Sequence, residues 1–151
     1  MSVSPGSETS LPFSLNFLTD VAITFKLEPF IQEVLNAMSL GAGTIEFNFV
    51  DDATISQLNQ TYLNHEGPTD IITFNLGDDV TLMGDIYIGV GQAARNAAEF
   101  KGTLDDEIKL LIVHGILHLM GFEDNTKAKK AEMDREQNRI LEKIHGQSAK
   151  R

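Results

Sequence analysis

The stretch TLDDEIKLLIVHGILHLMG, Thr103 to Gly121, is the most constrained part of this 151-residue chain. It carries a helix start and a helix stop. Thr103 is a capping residue, and Asp105, Asp106 and Glu107 lie in or near the first turn, where the helix dipole favours negative charge. The helix runs through Leu110, Leu111, Val113 and Leu117 to about Met120, and Gly121 permits the left-handed step that ends it. Residues four apart share one face of a helix, so His114 and His118 can aim their imidazoles at one point.

The segments around it alternate in type. VAITF (21–25) is short and β-branched and is expected to be a strand. Pro29 suits a first helical turn, and Phe30, Ile31, Val34, Leu35 and Met38 follow at helical spacing, with GAG (41–43) ending the helix. TIEFNFV (44–50) alternates, with Ile45, Phe47 and Phe49 on one face. Asp51 or Asp52 then caps a helix bearing Ile55, Leu58 and Tyr62, and NHEGPTD (64–70) is a loop. IITFNL (71–76) and DIYIGV (85–90) read as strands, and GQAARNAAEFKG as a helix ending near Gly102. A last helix fills roughly 126–145. The order predicts an α+β fold: one domain with a small mixed sheet of about four strands packed by about five helices. Its expected bounds are 20–146, with a loosely ordered segment at 1–19 and a short basic tail at 147–151.

The histidine pair has a chemical reading. A third ligand requires the chain to turn, which Gly121 allows, and Asp124 arrives three residues later. Two imidazoles and a carboxylate suit zinc with one position left for water, whose pKa such a site brings toward ~7. Glu123 competes with Asp124 for the third place. Zinc peptidases of the HExxH type carry a general-base glutamate directly after the first histidine, where this chain has Gly115. That counts against peptide hydrolysis. By size alone, Gly115 would also leave room beside the metal for a bulky substrate.

Bulk properties narrow the setting. There is no cysteine, hence no disulfide and no thiolate zinc site. The opening MSVSPGSETSLPF has neither the basic start nor the apolar core of a secretory signal, and no apolar run approaches a membrane span, so a cytoplasmic protein with no membrane partner is expected. Net charge is −10, which taken alone argues against nucleic acid. The charge is unevenly spread: residues 1–94 hold one base against 12 acids, and residues 95–151 hold 11 bases against 10 acids. A polyanion would approach the near-neutral half, where the histidines lie.

HGILHLMGFED (114–124) resembles the HGxLHLxGxDH signature of the YbeY family. NQTYLNHEGPTDIITF (59–74) and GDIYI (84–88) are similar to two further blocks of that family, and Met133 and Leu141 stand where it tends to be apolar. The resemblance covers about residues 20–145. It implies a metal-dependent, single-strand-specific endoribonuclease acting in ribosomal RNA maturation, including 16S 3′-end processing and ribosome quality control. It further implies one divalent ion, zinc foremost, with precursor ribosomal RNA and ribosomal particles as partners. The chain departs from the pattern twice. The family's third metal histidine falls at Asp124, whose extra negative charge should weaken the pull on a water or phosphate oxygen and makes other divalent ions more plausible. The family's arginine after the tyrosine is Leu63, which cannot neutralise a phosphate.

Several further residues are candidates. His65 could contribute a proton or a positive charge, or be an ordinary exposed loop histidine; Arg95 could replace the missing arginine if the fold brings it close. The resemblance implies that Thr69, Asp70 and Thr73 face the metal, while turn chemistry after Pro68 is the plainer account of Thr69 and Asp70. Asp85 could orient a metal histidine or cap a turn. Lys127, with Lys129 and Lys130, forms the compact basic group on a helix whose charges otherwise alternate as a solvated face do. Two other readings stand beside the nuclease: a metal-binding ribosome-biogenesis factor that cleaves poorly, and a metalloprotease or amidohydrolase that recruits its base from elsewhere.

Overall fold

In the computed structural model, residues 12–40, 43–78 and 81–145 are described. The elements run β1 (Phe13–Phe17), α1 (Leu27–Ala37), β2 (Gly43–Val50), α2 (Asp52–Leu63), β3 (Ile71–Asn75), β4 (Leu82–Gly89), α3 (Val90–Glu99), α4 (Leu104–Leu119) and α5 (Lys127–His145). The sheet order is β1-β2-β4-β3. β1 and β4 flank β2 in parallel, and β3 closes the sheet antiparallel to β4. This is the expected α+β domain, with four strands and five helices among the described residues.

The first strand is not the expected one. Residues 21–25 form no strand; Val21, Ile23 and Phe25 pack on the core from an irregular segment. The strand is Phe13–Phe17, inside the stretch expected to be loose, and it pairs with β2 from Phe13↔Ile45 to Phe17↔Phe49. Its alternation of Phe13, Leu15 and Phe17 matches the apolar face of β2. Strand choice is decided by such cross-strand partners rather than by β-branching alone. Residues 1–11 and the basic tail at 147–151 lie outside the described residues, as do Gly41 and Ala42 of the expected helix stop.

The pleat sorts the sheet into two faces. Ile45, Phe47 and Phe49 of β2 and Ile86 and Ile88 of β4 join α1, α4 and α5 in the main core. Val50 and Ile72 pack with Ile55 of α2 on the opposite face, flanked by Phe74 and Tyr87. Each fully buried Ile or Phe contributes about 1.5–3 kcal/mol, so the main core carries most of the stability.

α4 lies at the centre of that core, and its ends form as the sequence indicates. The Thr103 hydroxyl accepts the Asp106 N–H at 3.1 Å. At the other end the Phe122 N–H donates to the Leu117 carbonyl and the Gly121 N–H to the His118 carbonyl, with Gly121 at φ 101°. That is a Schellman stop, which satisfies the last carbonyls and reverses the chain. Asn75 of β3 donates to the Leu119 carbonyl at 3.2 Å, fastening the sheet edge to the same end.

Gly115 has a different reason from the one its size suggests. It is buried against the sheet, and a Cβ there would lie 3.0 Å from Ile86 Cδ1 and 3.1 Å from Ile71 Cδ1. The missing side chain gives room to the sheet, not to a substrate. Gly84 of β4 likewise lets Leu119 approach, since a Cβ would sit 2.6 Å from its Cδ2. Two glycines therefore seat α4 close on β3 and β4.

Candidate metal centre

The site is built where α4 stops and the chain folds back. His114 and His118 lie one turn apart with their Nε2 atoms 3.1 Å from each other. The Schellman turn returns Asp124 so that its Oδ2 is 3.7 Å from His114 Nε2 and 3.6 Å from His118 Nε2. Ligands about 2.0–2.1 Å from a tetrahedral ion stand about 3.3–3.4 Å apart, so the triangle has the size of a divalent cation's coordination face. The three residues form a group able to hold a metal ion. Glu123 turns the other way, its Oε1 2.8 Å from Lys129 Nζ. That ammonium holds the Glu123 carboxyl below its usual value. The geometry thus favours Asp124 over Glu123 as third donor.

A residue that the sequence did not mark completes the centre. Gln137 of α5 is buried, and its Oε1 lies 2.9 Å from His114 Nδ1. An amide oxygen only accepts, so Nδ1 carries the proton and Nε2 keeps its lone pair for a cation. The signal was present but faint: Gln137 interrupts the buried face formed by Met133, Ile140 and Leu141. Burial pushes the His114 imidazole below its ordinary pKa, and His118 beside it adds to the effect. Gln137, Asp124 and Asp70 act in the opposite direction. A neutral imidazole is the form that binds metal.

The remaining candidates divide. Asp70 is within electrostatic reach of His114. Its Oδ2 accepts from Asn96 of α3 at 3.0 Å, and its Oδ1 is 3.5 Å from the Thr69 hydroxyl. Asn96, which the sequence also left unmarked, therefore sets this carboxylate. Thr73 lies two residues from Ile71 in β3, shares its face and so is on the α4 side of the sheet. Asp85 does not orient a metal histidine: it points to the face opposite Gly84 and Ile86, beside Tyr87. Burial raises the Tyr87 pKa, and the nearby charges of Asp85 and Glu46 add to it. His65 is exposed in the loop after α2, and its side chain makes no hydrogen bond or ion pair among the described residues. Lys127 opens α5, exposed, while Lys129 and Lys130 pair with Glu123 and Asp134. Leu63 is exposed at the end of α2. Arg95 does not take over for it: both its Nη atoms hold Asp52 at 2.9 and 3.1 Å.

No helix among the described residues is long and apolar enough to cross a membrane. Comparison with known proteins converges on one family. Residues 15–145 match the family model described as Endoribonuclease YbeY. A protein of that name from Treponema denticola is 37% identical over 124 residues, covering 77% of this chain and 80% of the relative. Another from Chloroherpeton thalassium is 35% identical over 116 residues, covering 77% and 82%. The solution structure of TM1509 from Thermotoga maritima aligns with a TM-score of 0.66 at 26% identity, over 88% of this chain and 90% of that one.

Proposed function

This chain belongs to the endoribonuclease YbeY family, and from that premise we propose that it is a metal-dependent endoribonuclease acting on single-stranded ribosomal RNA precursors during their maturation. The observation that carries the reading is the donor triangle of His114, His118 and Asp124, with Gln137 presetting the His114 tautomer. The RNA to be cut is 16S precursor near its 3′ end, met on ribosomal particles in the cytoplasm, where the enzyme also serves ribosome quality control. Zinc is the ion that the two imidazoles and one carboxylate suit best.

When bound, a divalent ion supplies Lewis-acid polarisation of a phosphate oxygen and lowers the pKa of water. The chain's own residues do the rest. Asp70, fixed by Asn96 and standing outside the donor triangle, is the candidate to take a proton from the attacking hydroxyl at its Oδ1. Thr69 and Thr73 hydroxyls offer hydrogen bonds to the sugar–phosphate chain, and Lys127 an exposed cation that makes no ion pair among the described residues. His65, exposed in the loop after α2, is the candidate proton donor toward the leaving oxygen. Leu63 supplies no charge to the phosphate, and Arg95 is held by Asp52, so the centre leans on its cation more than an arginine-bearing site would.

The test is cleavage of single-stranded RNA by metal-loaded protein, compared with His118→Ala and Asp124→Ala. Cleavage lost in both variants together with metal content supports the assignment. Wild-type protein that holds its metal yet leaves single-stranded RNA intact would refute it.

A further inference from the structure

A cavity of about 360 Å³ opens beside the metal centre, between the end of α3, the middle of α4 and α5. His114 belongs to its wall, so the cavity and the donor triangle share a residue. Its apolar surface comes from Leu110 and Leu111, both buried, and from Phe100, a residue 53% exposed just after α3. Its polar surface comes from His114 and from Lys130, Asp134, Gln137 and Asn138 along α5.

Asn138 stands out. Its Oδ1 is buried with no hydrogen-bond partner among the described residues. A buried acceptor left unpaired costs about 1–3 kcal/mol, so such an atom calls for a donor. Asp134 offers a second acceptor on the same wall, with one carboxylate oxygen held by Lys130 at 2.9 Å. Aromatic ring, aliphatic floor and two acceptors are what a flat heterocycle with an amino group requires. A cavity of this size falls in the range of small-ligand pockets.

We propose that this cavity between Phe100, Leu111, Asp134 and Asn138 is a nucleobase subsite for the nucleotide next to the scissile phosphate, selecting bases that carry an exocyclic amino group. The inference rests on the nuclease reading and deepens it. The base stacks on Phe100, and its amino group donates to Asn138 Oδ1 and the Asp134 carboxylate. Adenine, cytosine and guanine have such a group and uracil has none. The ribose–phosphate on the 3′ or 5′ side then lies by His114, at the metal centre. The half of the chain that supplies the cavity is the near-neutral one, where an RNA strand is not repelled.

Two variants test it without endangering the fold. Phe100→Ala removes the ring of a half-exposed residue, and Asn138→Leu replaces an unpaired acceptor by an apolar side chain. Metal-loaded protein is titrated into single-stranded RNA carrying 2-aminopurine, whose fluorescence falls on stacking. In parallel, cleavage is followed on oligonucleotides with each of the four bases beside the cut. The expected result is quenching by the wild type, binding about tenfold weaker in either variant, and unchanged metal content. Wild-type cleavage should disfavour uracil at one position by several-fold, and Asn138→Leu should erase that preference. RNA cleaved with neither quenching nor base preference overturns the subsite and leaves the nuclease reading standing. Quenching that depends on Phe100 and Asn138 without any cleavage supports the subsite and overturns the nuclease reading. Quenching and preference that survive both substitutions also overturn the subsite.

Discussion

Replacing Gln137 should loosen the metal centre without touching a ligand. Its Oε1 accepts the His114 Nδ1 proton at 2.9 Å, from a side chain only 7% exposed. In Gln137→Leu the imidazole loses the bond that fixes its ring and tautomer. Partners of this kind are worth about 10–100-fold in metal affinity, or about 1.4–2.7 kcal/mol. Metal-free stability should change less. An unpaired Nδ1–H costs about 1–3 kcal/mol, but leucine joins Met133, Ile140 and Leu141 on a buried face and recovers part of that. Gln137→Glu keeps an acceptor at the same place, and a carboxylate there makes the imidazole a more basic ligand. The two substitutions should therefore separate: weaker zinc binding for leucine, wild-type or tighter binding for glutamate. Competition against a chromophoric chelator at neutral pH measures both. Equal affinity in wild type and Gln137→Leu would refute the orienting role. Equal weakening by leucine and glutamate would reduce Gln137 to a packing residue.

Three other outcomes follow from the same geometry. Asp124→Ala should empty the centre of metal while Glu123→Ala, which removes only the exposed pair with Lys129, should leave metal content intact; mass spectrometry of the native protein reads both. Gly115→Ala should cost up to about 2 kcal/mol, since overpacking against Ile86 and Ile71 outweighs the gain in helix propensity, and Gly115→Glu should fail to fold rather than gain peptidase activity; thermal melts and soluble yield decide. Metal-free protein should be most stable above pH 6.5 and lose stability as pH falls from there toward the depressed His114 pKa, because in that window the unfolded chain binds the proton that the buried imidazole refuses; melts from pH 8 to 5 that show the reverse slope would contradict this.

Much of the centre was readable because its determinants are local. The i, i+4 histidines, the Gly121 stop and Asp124 three residues on all act within one helix and one turn, and backbone geometry alone brings them together. What the sequence concealed depends on distant segments. Phe13–Phe17 is a strand because its face matches Ile45, Phe47 and Phe49 of β2, while the more β-branched VAITF has no such partner. Asp85 lost its expected role through strand parity, which depends on which face of β4 meets α4.

Gly115 shows the same division most sharply. Beside two metal-spaced histidines, an absent side chain reads as space at the site. Around the helix axis position 115 lies ~100° from His114 and ~60° from His118, on the side that packs into the sheet. There the space is consumed by Ile71 and Ile86. A glutamate could not stand there in this domain even if it were chemically useful. A proton acceptor in that glutamate's place would have to come from another element, such as the Asp70 proposed above, a carboxylate outside α4 that Asn96 holds. The close seating of α4 on the sheet thus excludes the peptidase arrangement by itself, whatever residue serves as base.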